Sequence, residues 1–185
     1  MRPFGLHVAI APTKNIERYE WFLEKATEIG IEAVTPIFCQ RSERRKVRLD
    51  RLERVMVAAM KQSFRGVLPR LHEPVDFASF VRRDLPEGTQ KLIATCQPLP
   101  ERHLLDAWTP GTDLVVLIGP EGDFSPEEQA LAHAAGYEPV QLGRARLRTE
   151  TAGVLTAAAV ALKAQTEGDP KRSGLGKTDM EGASG

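Results

Sequence analysis

An α/β architecture, a parallel sheet flanked by helices, is the fold class this sequence predicts, and three observations carry it. Leu114 to Ile118 is an unbroken apolar run rich in β-branched residues, as expected of a strand buried on both faces. Just after it, Ser125, Pro126, Glu127 and Glu128 put a hydroxyl at N-cap, proline at N1 and a carboxylate at N3 of a helix, the capping-box arrangement. A second unit of the same kind follows: a short strand over Pro139 to Leu142, then Gly143, then an alanine-rich helix from Thr149 to Gln165. Both glycine-bearing loops thus leave the same kind of strand end. In open α/β sheets that carboxyl edge is where ligands bind.

The earlier elements follow in order. Leu6 to Ala11 accumulates apolar residues and reads as a buried strand. Asn15 caps a helix that runs to Ile29, with Ile16, Tyr19, Phe22, Leu23, Ala26 and Ile29 as one apolar stripe. Gly30 ends it, and Ala33 to Phe38 is a second strand. Asp50 and Glu53 read as a capping box for a helix through Phe64, whose core-facing residues are Leu52, Val55, Met56, Ala59, Met60 and Phe64. Pro69 and Pro74 punctuate a loop that leads to a short helix near Asp76 to Arg82, and Leu92 to Cys96 is a further strand. Thr95 or Cys96, at its end, would line the same edge as Gly119 and Gly143. Residues 1–165 form the predicted domain, and the polar, glycine-rich tail from 166 to 185 is expected to be disordered.

Composition narrows the function classes. Lys plus Arg and Asp plus Glu each number 25, so a nucleic-acid surface must be local. The local candidate is Arg41, Arg44, Arg45, Lys46, Arg48, Arg51 and Arg54, offset only by Glu43, Asp50 and Glu53. Such a cluster either neutralises RNA phosphates or is a solvated loop. Cys39 and Cys96 lie too far apart for a disulfide framework or zinc pattern, and a reducing cytoplasm is the expected compartment. No signal peptide opens the chain, and the run Gly153 to Leu162 is too short to span a bilayer. His7, His72, His103 and His133 are scattered and suggest no metal site. Glycines in the two loops suit a phosphate loop, a nucleoside cradle or a tight turn. Glu121 and Asp123 would repel a polyphosphate, and no P-loop Lys is present. The same carboxylates suit ribose hydroxyls or a cationic ligand such as a sulfonium cofactor.

IGPEGDFS, followed by LGRARLRTETAG, resembles the paired signatures of the SPOUT methyltransferases, specifically the bacterial 16S ribosomal RNA uracil-N3 methyltransferase family. EKATEIGIEAVTPI and AAMKQSFR are similar to that family's other two blocks, in the same order. The resemblance covers roughly Leu6 to Ala164. It implies a deep C-terminal trefoil knot, a homodimer, S-adenosylmethionine held in the knot, and methylation of one uridine at N3 in 16S ribosomal RNA of the small subunit. Knots are almost absent from proteins, so no periodicity predicts one. The family usually carries an N-terminal PUA-like RNA-binding barrel. Only a few residues precede Leu6 here, which reads as a fragment of a longer protein or as a form without the barrel.

Carried onto this chain, the resemblance implies a cofactor site at Thr95, Ile118, Gly119, Gly122, Leu142, Gly143, Leu147 and Thr149. Arg148 matches the arginine of LR-x-ETA and would orient or electrostatically stabilise the uracil. Glu121 or Glu150 would accept the N3 proton, or would instead satisfy backbone amides at a loop or helix N-terminus, the commoner use of such carboxylates. Arg44, Gln62, Arg65, Arg144 and Arg146 are the expected RNA contacts, and Lys25 and Glu28 are candidates for positioning or subunit contact. Arg144, Arg146 and Arg148 are spaced by two, so an extended backbone would send all three to one side. Two departures stand out: Ala145 and Arg146 where an arginine and an aliphatic residue are common, and Asp123 in place of a frequent second glycine. The alternatives are a SPOUT enzyme acting on a ribose 2′-hydroxyl or on tRNA, and a non-catalytic RNA-binding ribosome-assembly protein. A phosphate-binding nucleotide enzyme is a third class, against which the two loop acids argue.

Overall fold

The computed structural model describes residues 4–167. It contains a seven-stranded sheet in which every pairing is parallel. In chain order the elements are β1 (Leu6–Ile10), α1 (Ile16–Ile29), β2 (Ala33–Phe38), α2 (Leu49–Gln62), β3 (Arg70–Leu71), β4 (Val75–Asp76), α3 (Phe77–Val81), β5 (Gln90–Ala94), α4 (Leu104–Ala107), β6 (Leu114–Ile118), α5 (Pro126–Ala134), β7 (Glu138–Val140) and α6 (Thr149–Glu167). The order across the sheet is β3-β2-β1-β6-β5-β7, with β4 also paired to β2. β6 lies between β1 and β5, in register Leu6 to Leu114 and Gln90 to Leu114.

Alternation along the central strands explains why their sequences are apolar throughout. Leu6, Val8 and Ile10 of β1, with Leu114, Val116 and Ile118 of β6, face one cluster that includes Tyr19, Phe22, Leu52, Met56 and Val160 of α1, α2 and α6. Ala9, Val115 and Leu117 face the other cluster, with Phe77, Phe80, Phe124, Ala132 and Tyr137 beneath α3 and α5. All five β6 residues are buried. Each such side chain contributes about 1.5–3 kcal/mol of transfer free energy, before the entropy of ordering is counted.

Helix starts follow local chemistry. Asn15 accepts from the Glu17 amide at 3.0 Å. Ser125 and Glu128 form the reciprocal capping box of α5, with bonds of 3.2 and 2.9 Å. Asp76 accepts from the Ser79 amide at 2.9 Å and caps α3. The capping box expected at Asp50 and Glu53 is absent. α2 begins two residues earlier, with Arg48 rather than Asp50 as its N-cap and no side-chain cap bond. Asp50 instead lies in the first turn and pairs with Arg48 at 2.9 Å and Arg54 at 3.0 Å, where a carboxylate also complements the helix dipole.

Other boundaries shift. α2 stops at Gln62, and Phe64, expected in the core, has φ 54° and is 96% exposed. Val55 and Met60 are half-buried rather than core. β5 runs Gln90–Ala94, which leaves Thr95 and Cys96 in the following loop, and β7 ends at Val140, two residues before Leu142. α6 continues to Glu167, past the predicted limit at 165. The disordered tail predicted beyond it lies, from residue 168, outside the described residues. Strands β3 and β4 and helix α4 have no counterpart in the sequence reading. The two strands hold two residues each and α4 four, too short for a hydrophobic period to register.

α6 crosses over α1 and β1, and Gly153 permits the approach. A Cβ there would lie 2.5 Å from Phe22 Cδ2 and 2.9 Å from Ile10 Cδ1. Helix propensity alone favours alanine over glycine by about 1 kcal/mol. Gly153→Ala is nonetheless expected to destabilise the fold by about 1–3 kcal/mol, as overpacking does. Urea unfolding checks this, and a variant as stable as wild type would show that α6 can shift without cost.

Candidate functional site

The carboxyl ends of β5, β6 and β7 open into one cavity of about 260 Å³. Its walls are the segments 94–96, 118–123 and 142–149, with Ala152 of α6 behind them. Every residue predicted for the cofactor lines it: Thr95, Ile118, Gly119, Gly122, Leu142, Gly143, Leu147 and Thr149. The two glycine-bearing turns therefore fold side by side, although the sequence separates them by a helix and a strand. A direct bond joins them, since the buried Thr149 hydroxyl donates to the Gly119 carbonyl at 2.9 Å. Gly143 has φ 131°, a backbone state that L side chains rarely adopt.

Asp123 is the residue whose role the sequence reading missed. It is buried and turned inward, and it bonds the residues that follow β5: the Thr95 hydroxyl and the Cys96 amide, both at 2.8 Å, and the Gln97 amide at 3.2 Å. Its departure from glycine was the available signal. The Cys96 thiol faces the same carboxylate at 3.3 Å. Burial first, then the hydrogen bond to Asp123 and its charge, push that thiol's pKa up, which suits an inert side chain better than a nucleophile.

Arg41 was also missed as an individual residue. From the loop after β2 it donates to the Gly122 carbonyl, and at 3.5 Å to that of Phe124. Gln129 reaches from α5 to the carbonyls of Gln97 at 3.0 Å and Phe124 at 3.3 Å. The cavity loops are thus fixed from outside by side chains of other elements.

The predicted catalytic residues separate. Arg148 lines the cavity and also a neighbouring cleft formed by Asn15, Glu17, Arg18, Trp21, Glu150 and Thr151. Glu150 is buried in that second cleft, its Oε1 3.9 Å from Arg18 Nε, and it does not line the cavity. Glu121 lies on the exposed rim and accepts from the Lys14 amide at 3.1 Å. That is the backbone-satisfying role weighed above.

The predicted RNA contacts are also dispersed. Arg146 lines the cavity, whereas Arg144 is exposed outside it, because 143–148 is irregular rather than one extended strand. Arg44 donates to the Thr13 carbonyl at 3.1 Å and the Lys14 carbonyl at 2.8 Å. Arg65 caps the end of α1 through the carbonyls of Glu28 and Ile29. Gln62 is exposed at the end of α2. Lys25 and Glu28 pair with each other at 3.2 Å on the surface of α1. Among the described residues no cluster of His, Cys, Asp or Glu is arranged to hold a metal, and no helix is long and apolar enough to cross a membrane. His7 lies toward the opposite end of β1, its pKa lowered to about 4 by burial first and then by His72 and Arg83.

A wholly parallel sheet whose strand-end loops fold back over a small cavity defines an α/β domain with a candidate ligand site at the carboxyl edge of its sheet. The chain belongs to the RNA methyltransferase domain family, whose model matches residues 1–161. It is 30% identical to the ribosomal RNA small subunit methyltransferase E of Synechocystis over 164 residues, which are 85% of this chain and 53% of that one. The crystal structure of a Porphyromonas gingivalis protein superposes with TM-score 0.82 at 40% identity, over 89% of this chain and 69% of that one. Ribosomal RNA small subunit methyltransferase E of Neisseria gonorrhoeae, solved with S-adenosyl methionine bound, gives TM-score 0.79 at 28% identity, over 86% and 66%. The fold is therefore that of the SPOUT methyltransferases. The chain spans between 53% and 65% of the length of the first curated relatives it matches.

The bond between the turns is open to a direct test. Thr149→Val keeps the side-chain shape, removes the donor and leaves the buried Gly119 carbonyl unpaired. The expected loss is about 1–3 kcal/mol of stability by urea unfolding, and an unchanged midpoint would mean that water replaces the hydroxyl.

Proposed function

We propose that this domain transfers the methyl group of S-adenosylmethionine to N3 of one uridine in 16S ribosomal RNA of the small ribosomal subunit, in the cytoplasm. The observation that carries the reading is the cavity shared by both glycine turns, with Arg148 between it and the adjoining cleft. Its chemistry fits a sulfonium nucleoside. Ile118, Leu142, Leu147 and Ala152 provide apolar walls, the turns provide backbone groups, no lysine among the described residues lines the site, and Asp123 and Glu121 are tolerable neighbours for a cation. When bound, the cofactor supplies an electrophilic methyl carbon and a neutral thioether leaving group.

The chain's own part is positioning and charge. Uracil N3 carries a proton at neutral pH, so the base must lose it before the nitrogen lone pair can form the new N–C bond while the C–S bond breaks. Negative charge then spreads onto the uracil oxygens, where a guanidinium is most useful. Arg148, shared by both spaces, stabilises that charge in this scheme, and Arg146 stands beside it at the cavity wall. Glu150, in the adjoining cleft, is better placed than the rim carboxylate Glu121 to take the proton. Arg44, Gln62, Arg65 and Arg144 remain the proposed RNA contacts.

A homodimer and a knotted chain belong to the same proposal. Leu155 and Leu162, seven residues apart on α6, are exposed on the side opposite Gly153, and Trp21 is exposed on α1 beside the Arg148 cleft. An apolar stripe so placed supports pairing with a second copy. The knot rests on the family match and the likeness to solved methyltransferases.

Labelled methyl transfer to undermodified 30S particles, followed by nucleoside analysis, tests the assignment. N3-methyluridine is the expected product, whereas a ribose-methylated nucleoside or no incorporation would overturn it. Gly143→Val forces a β-branched side chain to φ 131° and is expected to abolish S-adenosylmethionine binding by calorimetry. Unchanged affinity would remove Gly143 from the site. Arg148→Ala is expected to spare that affinity and lower the transfer rate by about 10²–10³-fold. A wild-type rate would deny Arg148 a catalytic part.

A further inference from the structure

We propose that Asp123 is a positioning residue of the methyl-donor cavity: its carboxylate holds the turn after β5 against the loop after β6 and so sets the cavity's width. This rests on the reading of that cavity given above.

Asp123 adopts φ 68°, one of two non-glycine residues among those described with a positive φ. Glycine would take that conformation without penalty, and aspartate is among the few side chains that tolerate it. A side chain kept at such a position points to a use for it. The use is visible in its partners. Only 8% of Asp123 is exposed. Oδ2 accepts from Thr95 Oγ1 and the Cys96 amide at 2.8 Å, from the Gln97 amide at 3.2 Å, and from the Cys96 thiol at 3.3 Å. Oδ1 accepts from the Phe124 amide at 2.8 Å.

The donors on Oδ2 all come from the turn that follows β5, and none is a cation. Thr95, Cys96 and Asp123 themselves line the cavity. On the outer side, Arg41 binds the carbonyls of Gly122 and Phe124, the residues on either side of Asp123. The carboxylate is thus fixed in place and in turn fixes the opposite wall. Asp123 touches the β5 turn rather than any reacting atom, which makes its role one of preorganisation.

The test uses Asp123→Gly, which relaxes the backbone at φ 68°, and Asp123→Asn, whose amide oxygen can replace Oδ2 as acceptor. Thermal melts verify folding. Affinities for S-adenosylmethionine and S-adenosylhomocysteine are read by calorimetry, and the alkylation rate of Cys96 by iodoacetamide is followed by mass spectrometry. Asp123→Gly is expected to weaken both ligands by about tenfold or more, as loss of a buried acceptor does, and to speed Cys96 alkylation as the thiol loses the carboxylate that raises its pKa. Asp123→Asn is expected to recover most of the affinity. Wild-type affinity for both ligands in Asp123→Gly would overturn the proposal. A loss confined to the sulfonium ligand would also overturn it, by making Asp123 a charge partner. If the wild-type protein binds neither ligand, the methyl-donor reading of the cavity falls, while an unchanged Cys96 rate in Asp123→Gly would by itself refute the brace.

Discussion

Loops that close a pocket at the end of a parallel sheet carry amides and carbonyls with no strand partner, and burying one unpaired costs about 1–3 kcal/mol. Here the missing partners come from side chains distant in sequence. Thr149 serves the Gly119 carbonyl, Asp123 serves the amides of Cys96 and Gln97, Arg41 serves Gly122 and Phe124, and Gln129 serves Gln97. The bonds of Thr149 and Asp123 join two walls of the pocket, and those of Arg41 and Gln129 tie its loops to elements outside it. Satisfying the backbone and shaping the site are consequently one constraint.

The same accounting changes the meaning of the basic cluster. A run of arginines after β2 looks, by composition, like a phosphate-binding surface. Arg41, Arg44 and Arg45 instead spend donors on carbonyls of the 119–125 loop, the β1–α1 loop and the end of β2. Arg51 and Arg54 pair with Glu20 and Asp50. Guanidinium groups retain their charge while bonding carbonyls, so these roles are compatible with a nearby RNA. They also mean that replacing Arg41 or Arg44 would disturb loop geometry as well as charge, and salt dependence alone could not separate the two.

The central architecture was legible because its signals are local and redundant. Five apolar residues in β6 require burial on both faces, and Ser125, Pro126 and Glu128 specify the start of α5 within one turn. Apposition of the two glycine turns was legible only through the strand-end rule and the family motifs, since nothing between Gly119 and Gly143 encodes a distance. The partners of Asp123 were not legible for a physical reason. A carboxylate in a glycine-rich loop was weighed as charge toward a ligand, whereas its lone pairs are occupied by a hydroxyl and two amides 26 to 28 residues away in sequence. Phe64 failed differently. The helical stripe that predicted it buried does not extend past Gln62, and at φ 54° its side chain leaves the helix face.

Placement of the arginines beyond Gly143 bears on chemistry as well as on fold. Had 143–148 been extended, Arg144, Arg146 and Arg148 would stand in one row and share one ligand. The irregular backbone places Arg146 on the cavity wall and leaves Arg144 outside, with Arg148 at the boundary with a cleft that contains a buried carboxylate. Methyl transfer to a base requires donor and acceptor to approach from opposite sides of one point while the acceptor loses a proton. In the proposed scheme the cavity would take the donor and the separate cleft the acceptor, with Arg148 shared by both, an arrangement that matches that requirement. A single pocket with three clustered arginines would instead suit a polyanion, whereas this cavity pairs two arginines with two carboxylates.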